Sequence, residues 1–207
     1  MATIHQATLV PSKLELITPW LAAQAWAPTG EVTQVGAYRL DDPHGKVGIE
    51  GFLLDVTGTP VHVILSYRGG PLAGADDYLV GTTEHSVLGT RWVYDGCIDP
   101  VVIRMLARTI LGGGTQAALV VVKGEEEIGR REATMRVQGS GTDDPGSVAL
   151  FDGLSVRSMG AIASVATTDY LVDITRVLDG THAVSGDETL TGTWDGGEGV
   201  LAAVTNV

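Results

Sequence analysis

Glu84, His85 and Ser86 set an acid, an imidazole and a hydroxyl side by side, the side-chain types from which an acid-oriented proton relay to a nucleophile is built. Successive side chains on a strand point to opposite faces, so a relay here needs partners from elsewhere in the chain. No Gly-x-Ser-x-Gly elbow accompanies the triplet, and a hydrogen-bonded structural role is the stronger reading, with a small enzyme using Glu84 and His85 ranked behind it. The carboxylate pairs Asp41-Asp42, Asp76-Asp77 and Asp143-Asp144 fall in turn-forming sequence. Paired carboxylates act as acid and base only where their environments separate their pKa values, and solvated turns do not do that. His5, His44, His62, His85 and His182 are scattered, none with an i, i+4 partner or a Cys-x-x-Cys neighbour, so neither a metal nor another cofactor is expected.

Two further groups invite a ligand. Gly139, Gly141 and Gly146 could let backbone amides approach a phosphate, but no Lys-Ser or Lys-Thr follows, and Asp143 and Asp144 oppose an anion, so the segment reads as a surface turn. Trp20, Trp26, Trp92 and Trp194 could stack on a sugar. Trp92 lies beside Val93 and Tyr94 in an apolar run and reads as core, which leaves Trp20 and Trp26 as interface candidates.

The elements that would hold these residues follow from spacing. Ser12-Lys13-Leu14-Glu15 has the form of a capping box and predicts a helix, with Leu14, Ile17 and Leu21 on one face and Pro19 kinking or restarting it. Strands are expected at 32–40, 47–56, 61–67, 78–83 and 87–94, joined as a meandering antiparallel sheet. Asp99-Pro100 predicts an N-cap followed by proline at the first helical position, and the helix runs to the Gly112-Gly113-Gly114 stop. Shorter strands are expected at 118–123, 133–137, 170–178, 190–194 and 200–204, with a boundary near residue 115 that gives domains 1–115 and 116–207.

Composition bounds the class. The chain has 207 residues, 44% hydrophobic and 18% charged, enough for one core or two small subdomains. No apolar run reaches membrane-spanning length and the first residues lack the form of a secretory leader, so the expectation is a cytoplasmic protein. The lone Cys97 fits that compartment. A formal charge of −12, from 25 carboxylates against 13 lysines and arginines, disfavours nucleic acid and anionic membranes as partners.

Two patches resemble a known family. One is Trp20-Leu21-Ala22-Ala23-Gln24-Ala25-Trp26. The other runs from Leu65-Ser66-Tyr67-Arg68-Gly69-Gly70-Pro71-Leu72 through Gly81-Thr82-Thr83-Glu84-His85-Ser86-Val87-Leu88-Gly89 to Trp92-Val93-Tyr94-Asp95-Gly96 and Asp99-Pro100. Together they resemble the N-terminal cap domain of actinobacterial maltokinase-like kinases, over roughly the first 115 residues. The resemblance implies an α+β fold, with a curved antiparallel sheet packed on helices, followed by a mostly β subdomain similar to a degenerate kinase N-lobe. In that comparison Asp173 stands where the family has a phosphate-neutralising lysine, and a carboxylate there repels nucleotide. The family's catalytic and magnesium-binding carboxylates lie in a further lobe, for which the sequence ending at Val207 leaves no room, so phosphoryl transfer is not expected. The implied function is a non-catalytic accessory protein whose partner is a sugar kinase or an enzyme of maltose, trehalose or glycogen metabolism. Trp20, Trp26, Glu84, His85 and Arg91 are the candidate surface. A carbohydrate or nucleotide sensor is the alternative, and a homo-oligomer is a further partner class.

Overall fold

Ser12 opens the first helix as a capping box requires. Its hydroxyl accepts from the Glu15 amide, and the Glu15 carboxylate accepts from the Ser12 amide at 2.7 Å. The structure, a computed structural model, describes residues 2–124, 126–142, 144, 148 and 154–207. Two short strands, β1 (Ala2–His5) and β2 (Leu9–Val10), precede that helix, α1 (Lys13–Ala22). The helix passes through Pro19 without restarting. Pro19 and Glu15 are both exposed, so the carbonyl that proline leaves unbonded can turn to water.

The next five strands are β3 (Val32–Leu40), β4 (Val47–Val56), β5 (Thr59–Arg68), β6 (Leu79–His85) and β7 (Gly89–Asp95). With β2 they form a six-stranded antiparallel sheet in the order β2-β6-β7-β5-β4-β3. It is not the simple meander the spacing suggests, because β7 rather than β6 lies beside β5. Thr57 and Gly58 both take positive φ, the primed hairpin turn whose twist matches that of β4 and β5. The second helix, α2 (Pro100–Leu111), starts at Asp99, whose side chain accepts from the Val101 amide while a two-pronged salt bridge from Arg68 at 2.6 Å holds the same carboxylate.

The remaining strands are β8 (Leu119–Lys123), β9 (Glu126–Arg131), β10 (Met135–Gly139), β11 (Ser155–Met159), β12 (Ile162–Ala166), β13 (Tyr170–Thr175), β14 (Glu188–Trp194) and β15 (Gly197–Asn206). A second six-stranded antiparallel sheet has the order β10-β14-β15-β13-β12-β11, and a three-stranded sheet, β1-β8-β9, ties the first residues to the second half through a parallel β1–β8 pair. Among the described residues no helix is long and apolar enough to cross a membrane.

This architecture corrects the expected fold class. Strands hold 51% of the described residues and helices 14%, so the protein is mostly β, with curled antiparallel sheets, and is not an α+β cap built on helices. The physical reason is coverage. Helix α1 packs Ile17 and Leu21 on one face of the first sheet, against Phe52, Leu54, Val63 and Val93. The other face is too wide for α2 alone, and its Tyr38, Ile49, Leu53 and Ile64 share one core with α2 and with Val165, Val172, Ile174 and Leu201 of the second sheet. That core runs continuously across residue 115. Register shifts at Gln34/Gly36, Leu79/Gly81 and Leu190/Thr191 add the local bends that let the sheets curl.

The two large sheets also share backbone. Strand β13 ends at Thr175, short of the expected 178, because the chain there leaves its own sheet and pairs with the start of β5. The His62 amide donates to the Arg176 carbonyl at 2.8 Å and the Leu178 amide to that of Pro60 at 2.9 Å. Two side-chain networks seal this crossing. Arg176 Nη2 donates to Asp95 Oδ2 at 2.6 Å, with the two side chains 3% and 5% exposed. His62 Nδ1–H donates to the Thr175 carbonyl at 3.1 Å, leaving Nε2 to accept the Tyr38 hydroxyl at 3.0 Å.

Two outcomes are expected from urea unfolding. Arg176→Met and Asp95→Leu should each cost about 3–5 kcal/mol by stranding a buried charge, and the double substitution should recover most of that loss. A double variant no better than the sum of the singles would show that the pair does not couple. His62 carries a pH signature. Burial, foremost, together with the nearby Arg176 charge outweighs the Thr175 hydrogen bond and lowers its pKa from 6.5 to about 4. The unfolded chain therefore takes up a proton that the folded one refuses. Stability should be complete above about pH 6.5 and fall by about 3 kcal/mol on descending to pH 4, a component that His62→Phe removes from the measured pH profile.

Candidate functional site

The triplet Glu84-His85-Ser86 closes the β6–β7 hairpin, and the loop chemistry explains each residue. His85 Nδ1 accepts the amides of Val87 at 3.2 Å and Leu88 at 3.1 Å, so it must be unprotonated there and the imidazole proton sits on Nε2. Partial burial, then the positive charges near it, hold its pKa below the ordinary histidine value, in keeping with that tautomer. The His5 ring stands edge-on to it at 5.8 Å. Ser86 Oγ accepts the Thr8 amide at 3.0 Å and Glu84 Oε1 accepts the Thr90 hydroxyl at 2.7 Å. Arg91 Nη2 donates to the Leu88 carbonyl at 2.6 Å, and Gly89 turns the chain with φ +71°. Acid, imidazole and hydroxyl are each engaged locally and do not form a relay with one another.

What this turn leaves outward is apolar. Val87 and Leu88, expected inside a strand, are instead the hairpin tip, 53% and 43% exposed, and Val10 on the flanking edge strand is 68% exposed. The polar groups of the tip bond inward and hold the aliphatic side chains in water.

The structure brings Trp20 and Trp26 together, edge to face at 6.2 Å, but not as an open platform. The Arg176 guanidinium lies over the Trp26 ring at 4.7 Å, and the gap lined by the two indoles, Cys97 and Arg176 has no room for a water molecule. Cys97 is buried in the same place, and that burial, with Asp95 adding, pushes its thiol pKa up to about 12, so it stays protonated and unreactive. Asp173 stands on β13 opposite Ser164 and Ala203, on the face away from its core-facing neighbours Val172 and Ile174.

The glycine-rich segment and the carboxylate pairs also resolve. Gly139 and Gly141 are buried rather than at the surface. A Cβ on either would lie 2.0 and 2.1 Å from the carbonyl oxygens of Thr109 and Leu111, so these glycines let β10 approach the end of α2. The Gly141 amide donates to Ile110 and is not available to an anion. Asp143 and Gly146 of that segment lie outside the described residues. Asp42 is buried, not solvated, accepting three amides from His44, Lys46 and Val47 to shape the β3–β4 turn. Among the described residues no group of three or more His, Cys, Asp or Glu side chains is placed to hold a metal ion.

Comparison with known families gives one finding. Residues 18–99 match the family of maltokinase N-terminal cap domains. The match begins inside α1 and ends at the N-cap of α2, so the cap comprises the α1 contact and the strands from β3 to β7 of the first sheet. No curated protein matches the chain. Within the matched segment, the residue patterns pointed to Asp99 only as the N-cap of α2, not as the partner of Arg68, and did not point to Asp95 as an anchoring charge. The available signal was an acidic residue at the end of an apolar β run, a position that has to be paired if it is buried.

The hairpin chemistry predicts a local measurement. Replacing His85 with Phe removes the acceptor of two amides, each bond contributing about 1 kcal/mol, so hydrogen exchange at Val87 and Leu88 should accelerate about tenfold or more while the core strands keep their protection. Unchanged exchange at those two amides would remove the assigned role of His85.

Proposed function

We propose that the protein is a non-catalytic accessory or regulatory partner of an enzyme of maltose, trehalose or glycogen metabolism, and that it docks through the tip of the β6–β7 hairpin. The carrying observation is the tip itself. His85 and Arg91 direct their hydrogen bonding into the turn, Ser86 accepts the Thr8 amide, Gly89 turns the chain, and Val87 and Leu88 are left in solvent beside Val10. Holding apolar side chains outward on a preorganised loop costs stability in the free protein and reduces the ordering cost of binding. The cap domain supports the choice of pathway, since the family takes its name from the N-terminal part of maltokinases. Carbohydrate stacking on Trp20 and Trp26 has less support, because Arg176 occupies the Trp26 face.

The test is affinity capture with the full chain and with a Val87→Asp/Leu88→Asp variant, each incubated with lysate of the source cells, followed by identification of the retained proteins. The wild type should retain an enzyme of these pathways and the variant should not. The variant's unfolding free energy should stay within about 0.5 kcal/mol of wild type, as for exposed positions generally. Equal retention by both chains, or capture of no such enzyme, overturns the proposal.

A further inference from the structure

A second surface has a different chemistry. Between β3 and β4, the start of α1 and the end of β9 lies a cleft of about 240 Å³, roughly the share of eight water molecules in the liquid. Its wall carries Lys13, Arg39 and Arg131 against Glu50 and Glu132, a surplus of one positive charge in a chain whose net charge is −12. Local positive charge on an acidic protein is not a consequence of overall composition; it has to be placed.

The pairing inside the cleft is incomplete. Glu50, nearly buried, is engaged by Lys13 Nζ at 2.5 and 2.8 Å, while that ammonium sits over the rings of Phe52 and Tyr67 at 5.6 and 5.9 Å. Arg39, directly across the β3–β4 ladder from Glu50, reaches the same carboxylate by one long contact of 3.5 Å. Arg131 makes no ion pair among the described residues. One carboxylate thus serves Lys13 and grazes Arg39, and two guanidinium forks retain most of their donors. The like charges are felt: burial first of all, then Arg39 and Arg131 lower the Lys13 pKa against the pull of Glu50. Guanidinium forks match tetrahedral oxyanions by paired hydrogen bonds, and an anion between them would relieve this repulsion.

We propose that this cleft binds a small phosphate monoester, with Arg39 and Arg131 on the phosphate oxygens and the remaining volume taken by a polar body no larger than about one five- or six-membered ring. Lys13, held by Glu50, contributes the field rather than a direct bond. Glu132, which also lines the cleft, sets a limit on total ligand charge and disfavours polyphosphates.

Isothermal titration of the full chain at fixed ionic strength, with inorganic phosphate, glycerol 3-phosphate and ribose 5-phosphate, tests the assignment. An ester should bind with measurable heat and at least about tenfold more tightly than inorganic phosphate, a difference that reads the body of the ligand. Arg131→Gln should weaken the ester about tenfold or more. Arg130→Gln, on the opposite face of β9 and paired with Glu127, should leave it unchanged. Glu50→Gln frees Lys13 and should tighten binding. No heat with either ester, no loss in Arg131→Gln, or the same loss in Arg130→Gln overturns the site, and equal affinity for inorganic phosphate and the esters overturns the monoester assignment. Both arginine variants sit on a fully exposed strand, so neither outcome depends on a damaged core.

Discussion

A single buried charge pair sets the relation of everything else. Arg176 and Asp95 are 81 residues apart in sequence and nearly inaccessible to water, so burying either one without the other strands a charge and is strongly destabilising. Asp95 closes β7 and also accepts the Cys97 amide that leads toward α2; Arg176 follows β13 and spreads its guanidinium under Trp26. One contact therefore ties together the end of the first sheet, the turn into α2, the segment that follows α1 and the second sheet. The backbone crossing at His62 and Arg176 and the His62–Tyr38 bond lie next to it and share its dry surroundings. A substitution at this junction acts on the relation between the sheets before it acts on either sheet.

The segment that matches the cap-domain family cannot be considered apart from what covers it. Its inner face, with Tyr38, Ile49 and Ile64, is completed by α2 and by residues beyond 160, and Gly139 and Gly141 bring β10 against the last turn of α2 at a distance no side chain would permit. Two helices of ten and twelve residues cannot blanket a six-stranded sheet, and sheet-on-sheet packing supplies the remainder. This is why patterning that fits a helix-backed sheet leads to a protein that is mostly β.

Local chemistry was legible in the sequence where the signal is local. The capping box at Ser12, the Asp99-Pro100 start of α2 and the limits of β3 and β4 are written in residues within a few positions of the element they form. Strands β1, β2, β9, β11 and β12 were not legible. β1 gains its status only by pairing with β8 more than a hundred residues away, and β9, Glu-Glu-Ile-Gly-Arg-Arg, has the charged composition that protects an edge instead of the apolar alternation that announces a strand. Val87 and Leu88 misled in the opposite sense, because their composition is that of a strand and only the histidine acceptor two residues earlier turns them outward. The charges that matter in the cleft, Glu50 and Arg39, are single ionisable residues inside apolar runs, where spacing says nothing of which partner will meet them across the ladder.

The stretches that carry the family likeness are largely internal. Arg68 holds Asp99, Asp95 holds Arg176, Tyr94 lends its hydroxyl to the Leu72 amide, and Trp26 is covered by a guanidinium. Such residues define a fold and constrain what it can present, but a fold is not an activity. The exception is the Glu-His-Ser-Val-Leu-Gly hairpin, where the same economy of inward hydrogen bonds ends in exposed aliphatic groups. A motif that exists to hold a fold together has no reason to hold valine and leucine in water, and that exposure is the observation on which the proposed docking through this segment rests.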